Sequence, residues 1–138
     1  MKRIIVLFLT CGLIFSLTAC SAQATPVYAE GEEKDAAAAS AEPFAQHILD
    51  GIQNNDYETF AVDFNPSMRS AMTQGQFDKI VKMFADYGAF KSRELINVQI
   101  INSFYRVNYQ LTFEKKTLIM GVVIPQGETP DVSGLWFN

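Results

Sequence analysis

Phe104 to Ile124 reads FYRVNYQLTFEKKTLIMGVVI, and its alternation decides the fold. From Tyr105 to Phe113 the odd positions carry Tyr, Val, Tyr, Leu and Phe, while the even positions from Arg106 to Glu114 carry Arg, Asn, Gln, Thr and Glu. That period of two is the pattern of a half-buried strand. A turn at Lys115 and Lys116 would set Phe113 against Leu118, Leu111 against Met120, Tyr109 against Val122 and Val107 against Ile124, all on one face. Any turn of even length keeps that parity, whereas a slip of one residue would bring Ile119, Gly121 and Val123 inward instead.

Upstream of the hairpin the period changes to that of helices. Phe77, Ile80, Val81 and Phe84 recur at i, i+3, i+4 and i+7 behind Thr73, which with Gln76 forms a capping box; Gly88 is placed to end this helix. Before it, Asp56 is an expected N-cap for a helix in which Tyr57, Phe60, Ala61 and Phe64 share a side, and Asn65-Pro66 breaks that helix and opens a short one. A first helix of about three turns is expected from near Ser40, with Pro43 in its first turn and Phe44, Ile48 and Ile52 on its apolar side. Ile96, Val98 and Ile100 alternate as a strand, and Val132 to Phe137 reads as the last one. Helices followed by a four-stranded antiparallel meander predict an α+β layer, with the N-terminal helices packed on one face of a curved sheet.

The N-terminal segment has its own chemistry. Met1-Lys2-Arg3 is a basic start, Ile4 to Leu17 an almost unbroken apolar run, and Leu17-Thr18-Ala19-Cys20 a small-residue close. LTAC resembles the lipobox of bacterial lipoproteins. That resemblance implies a signal peptide over 1–19, lipidation of Cys20, and a protein lipid-anchored to the extracytoplasmic face of a cell membrane. Cys11 would leave with the signal, so Cys20 would be the only cysteine of the mature chain and no internal disulfide is expected. Loss of Lys2 and Arg3 leaves nine basic against 15 acidic residues, an acidic balance that argues against nucleic acid as a partner. Residues 20–40, acidic and then alanine-rich, read as a disordered tether, and 41–138 as the folded domain.

The helix ending in a polar Asn-Asp turn, the stretch DYETFAVDFNPSMRSAM, the helix closing on YGAF, the Tyr- and Phe-rich hairpin and the terminal SGLWF together resemble a small lipoprotein family of unknown function in the nuclear transport factor 2-like superfamily. The resemblance implies a cone, a curved sheet wrapped around helices, often with a pocket and often dimeric through the sheet. A cystatin-like domain shares the helix-on-sheet layout, but Lys115 and Lys116 occupy the hairpin tip where an apolar one would be needed.

The inward hairpin face carries no carboxylate or imidazole, so no catalytic residue is assigned. His47 reads as a boundary histidine, Asp56 and Asp63 as capping and solvated groups, and one histidine with scattered acids gives no metal site. No cofactor is expected. Tyr57, Tyr109 and Trp136, aromatic bodies with polar tips, are the expected pocket-lining residues. Ile119, Gly121 and Val123 make the outer face less polar than a solvated one, which points to a homodimer or protein partner. The reading is a module that binds a small hydrophobic ligand or a protein; the alternative is a cone-type enzyme acting on a small hydrophobic substrate.

Overall fold

The computed structural model describes residues 25–127 and 130–138. The signal stretch and Cys20 lie outside them. The chain runs β1 (Val27–Tyr28), α1 (Gly31–Asn54), α2 (Tyr57–Phe60), α3 (Pro66–Ala71), α4 (Gln74–Tyr87), β2 (Phe90–Ile101), β3 (Phe104–Phe113), β4 (Thr117–Pro125) and β5 (Gly134–Phe137). The strands form one open antiparallel sheet in the order β1-β2-β3-β4-β5, with the helices on one face. The mixed α+β architecture is as expected; the sheet has five strands, because a short N-terminal strand joins the four of the meander.

The alternation of β3 and β4 is realised in burial. Val107, Leu111, Met120 and Val122 are fully inaccessible, and Tyr109, Phe113, Leu118 and Ile124 nearly so. The register differs by two residues from that of a Lys115-Lys116 turn: Leu111 faces Leu118, Tyr109 faces Met120, Val107 faces Val122 and Tyr105 faces Ile124. The turn is centred one residue earlier, closed by the Phe113 N–H donating to Lys116 O at 2.8 Å. Its position is set from outside the hairpin, since Glu114 N–H donates to Ala89 O at 2.9 Å and Lys115 N–H to Tyr87 O at 3.0 Å. Parity is preserved, so the same side chains remain buried.

The larger correction concerns 25–40. This stretch is not a tether: it holds β1 and the first half of α1, a helix of 24 residues. Ala29, Ala37 and Ala41 are buried, and Tyr105 Oη donates to Glu33 Oε1 at 2.8 Å, which ties the first turns of α1 to the sheet. Alanines bury little area each, so they give a weak hydrophobic signal, yet their small size lets the helix lie close to the strands. Pro43 therefore sits in a helix interior, a position that costs about 3 kcal/mol in an isolated helix and is retained here through tertiary packing on both sides. α1 ends at Asn55 in the left-handed region (φ 54°), with Asp56 N–H donating to Gly51 O at 2.7 Å.

The caps at Asp56 and Thr73 behave as read. Asp56 accepts from the N–H groups of Glu58 and Thr59, and the Thr59 hydroxyl bond leads the effects that lower its pKa. Asn65 caps α3 through Met68 N–H, and Thr73 N–H donates to Gln76 Oε1 at 2.9 Å. α2 is shorter than expected, one turn, after which Phe64 bridges to Val132.

Gly51 sets how closely α2 approaches α1. A Cβ there would lie 2.5 Å from Phe60 Cα, a backbone atom that no rotamer change can move aside. Gly51→Ala gains helix propensity of about 1 kcal/mol but forces the two segments apart, so a net loss of about 1–3 kcal/mol is expected in urea denaturation, with the slope unchanged.

Candidate functional site

α4 sets Phe77 against Tyr57 and Phe60 of α2 and Phe84 against Phe113 and Phe137 of the sheet, and Gly88 (φ 85°) then reverses the chain into β2. Between the C-terminal turns of α1, the end of α4 and the hairpin end of the sheet lies a cleft of about 270 Å³. Ile52, Gln53, Val81, Phe84, Ala85, Gly88, Phe90 and Phe113 line it. Phe113 is its aromatic centre, edge-on to Phe84 at 4.9 Å and to Phe90 at 5.6 Å between ring centroids. Glu114 lies against Gly88 at the rim, its Oε2 3.0 Å from where a Cβ would stand. The volume falls just below the roughly 300–1,000 Å³ of drug-sized sites, which suits a small apolar molecule or one apolar side chain of a partner.

None of the three residues expected to line a pocket lines this cleft. Tyr57 packs edge-on to Phe77 at 5.6 Å and donates its hydroxyl to Met72 O at 2.6 Å, joining α2 to the end of α3. Trp136 is on the opposite face of the sheet, across from Gly121 and stacked under the Arg106 guanidinium at 5.2 Å. A Cβ on Gly121 would overlap the indole, so at Gly121 the outer face is in contact within the chain. Beside it Asn108, 7% exposed, donates to Asn97 Oδ1 at 2.7 Å.

Tyr109 is in the core, 2% exposed, beneath α1. Arg93 lies over its ring at 5.1 Å and pairs with Glu42 from α1. Arg93 adds a guanidinium to the inward side from β2, a strand that begins at Phe90, six residues before the alternation at Ile96 reveals it. The Tyr109 hydroxyl finds no hydrogen-bond partner among the described residues, and burial, with Glu42 nearby, pushes its pKa up to about 12.

His47 and Asp63 were read separately, and the structure pairs them: Nδ1 and Oδ2 are 2.7 Å apart, joining α1 to the loop after α2. His47 stands at a separate open groove, which Glu58, Thr59, Val62 and Arg69 also line. The hydroxyl at hand there, Thr59, donates to Asp56 Oδ2 at 2.7 Å, and Arg69 is engaged by Ala61 O and Glu58. Such groups clamp α1, α2 and α3 together. Among the described residues no three His, Cys, Asp or Glu side chains are grouped to hold a metal ion.

A family model matches residues 45–128, from within α1 to just past the end of β4, which is most of the chain. The chain belongs to the DUF3887 family, described as proteins of unknown function. No curated protein and no solved structure matches the sequence. All the side chains of the apolar cleft fall inside the DUF3887 stretch, as do His47 and Asp63; Trp136, β1 and β5 fall outside it. Phe84 and Phe113 read as ordinary core positions in sequence, because periodicity shows which face is apolar and not where that face stays open.

The buried hydroxyl of Tyr109 gives a pH test. Its folded pKa lies above the unfolded value of about 10, so the stability it confers is complete below pH 10 and is lost as pH rises towards 12. Over that interval the stability of the native chain should fall about 1.4 kcal/mol per pH unit more steeply than that of Tyr109→Phe. At pH 7 the variant, which removes an unpaired buried polar group, should be equally or more stable. Denaturation midpoints across the pH range check both.

Proposed function

We propose that this DUF3887 protein is a binding module of the nuclear transport factor 2-like type, held at the extracytoplasmic face of a cell membrane by lipid on Cys20, and that the cleft around Phe113 takes a small hydrophobic ligand or an apolar side chain of a protein partner. The observation that carries the binding reading is the convergence of Phe84, Phe90 and Phe113 on a cleft with Gln53 and Glu114 as its polar margin. A catalytic cleft would need an acid or base aimed at a bound molecule; the carboxylate near this cleft, Glu114, lies at its rim against Gly88, and His47, paired with Asp63, lines the other groove. The anchoring reading is supported by the basic start, apolar run and LTAC close of 1–20. No helix among the described residues is long and apolar enough to cross a membrane, so it is the acyl chains that would hold the protein there.

Two substitutions separate the parts of the proposal. Cys20→Ala should move the full chain from the membrane pellet to the soluble fraction of the producing cells; a variant that still sediments with membranes overturns lipid anchoring. Ala85→Trp, at an exposed lining position, should fill the cleft without disturbing the core. Native mass spectrometry of the full chain released from mild detergent should then show a non-covalent adduct on the parent protein that is absent from Ala85→Trp. An adduct equally abundant on both would exclude the cleft as its site, and a bare parent chain would leave the partner side chain as the occupant.

A further inference from the structure

Among the described residues five large apolar side chains are exposed, and four of them share one edge of the sheet. They are Val27 (60%), Tyr28 (46%), Leu95 (38%) and Ile96 (40%); Val62 (53%) is elsewhere. The edge is built by an incomplete strand. β1 pairs only Val27 with Ile100 and Tyr28 with Gln99, and its last bond is Ala29 N–H to Val98 O at 2.9 Å. The chain then leaves for α1, so among the described residues no strand lies beside β2 from Asn97 back to Phe90. The register shift between Leu95 and Asn97 leaves Ile96 unpaired within this stretch. Exposed apolar groups along an uncovered edge are a liability unless something covers them.

The covalent chain limits what that can be. Val27 follows Cys20 by seven residues, which reach at most roughly 25 Å. That is less than the roughly 30 Å breadth of a domain of this size. An acylated Cys20 therefore keeps the β1 end of the sheet at the headgroups. The Lys115 tip, about ten strand residues away, stands roughly 33 Å further along.

We propose that the β1–β2 edge rests on the bilayer itself, with Val27, Tyr28, Leu95 and Ile96 entering the interfacial layer of the lipid. Tyr28 has the aromatic body and polar tip that suit such a boundary. Glu30, Glu32 and Glu33 follow β1 directly, so the lipid that fits is uncharged; anionic headgroups would repel this end of the domain. The inference rests on the acylation of Cys20.

In the acylated chain Cys20 is blocked, so a single cysteine introduced elsewhere can be labelled alone. The full acylated protein carrying Ile96→Cys, or Lys115→Cys as the distant control, is labelled with a nitroxide and reconstituted in phosphatidylcholine vesicles. Flotation reads anchoring, and collision with a water-soluble nickel chelate reads immersion of the label. The expected result is that both variants float and that the chelate reaches the residue 96 label several-fold less often than the residue 115 label, with Val27→Cys behaving like Ile96→Cys. If the variants float and both Ile96→Cys and Val27→Cys are as accessible as the control, the edge does not meet the lipid and the inference falls while anchoring stands. Proteins that fail to float overturn both. Protection that rises with protein density at fixed lipid would assign the edge to a second copy of the chain and also overturn the inference.

Discussion

The turn between β3 and β4 positions the whole molecule. Its two central N–H groups, of Glu114 and Lys115, donate to Ala89 O and Tyr87 O, so the tip of the hairpin is fastened to the connection between α4 and β2. Those bonds choose the register, and the register chooses which side chains oppose one another across the core. With parity fixed by the alternation of β3, the pinning places Phe113 directly beneath Phe84 of α4. The helical layer closes on the sheet around that contact and leaves the cleft beside it. The constraint acts locally: two backbone bonds of ordinary length settle which of the registers of equal parity the hairpin adopts.

What could be read from sequence follows from how each residue signals its role. The inward face of the hairpin is legible because large apolar side chains alternate there without interruption, and the caps at Asp56 and Thr73 because a side-chain acceptor at that position has one cheap use. The turn was misplaced by one residue because the bonds that hold it come from Tyr87 and Ala89, far away in sequence. The first half of α1 was missed for a different reason. Its buried residues are alanines, whose contribution is closeness of approach, and composition weighs them as though they were solvent-exposed. Arg93 was missed because a bulge and charged neighbours hide the first half of β2.

The site was less legible than the fold. Aromatic residues with polar tips were the natural candidates, and the structure uses them as fasteners: Tyr57 holds α3, Trp136 covers Gly121 and Arg106 caps it, and Tyr109 fills the core under α1. The cleft is instead formed by phenylalanines that a periodicity argument assigns to the interior. A cleft of this kind arises where two layers that are each regular fail to meet, and only their mutual placement shows it. His47 and Asp63 make the same point in polar terms, since 16 residues separate them in the chain and 2.7 Å in space.

The strand β1 gives the molecule a defined mechanical weak point. The chain enters the sheet through it, so any load carried between residues upstream of Val27 and the rest of the domain passes first through the pairs Val27–Ile100 and Tyr28–Gln99. β1 can yield under such a load with the β2–β3–β4 ladder left whole. The next fastening is the hydrogen bond from Tyr105 to Glu33, and beyond it the packing of Ala37 and Ala41. A tug on the N-terminal side would thus be absorbed by a short extensible segment, which acts as a mechanical fuse between the chain upstream and the cleft at the far end of the sheet.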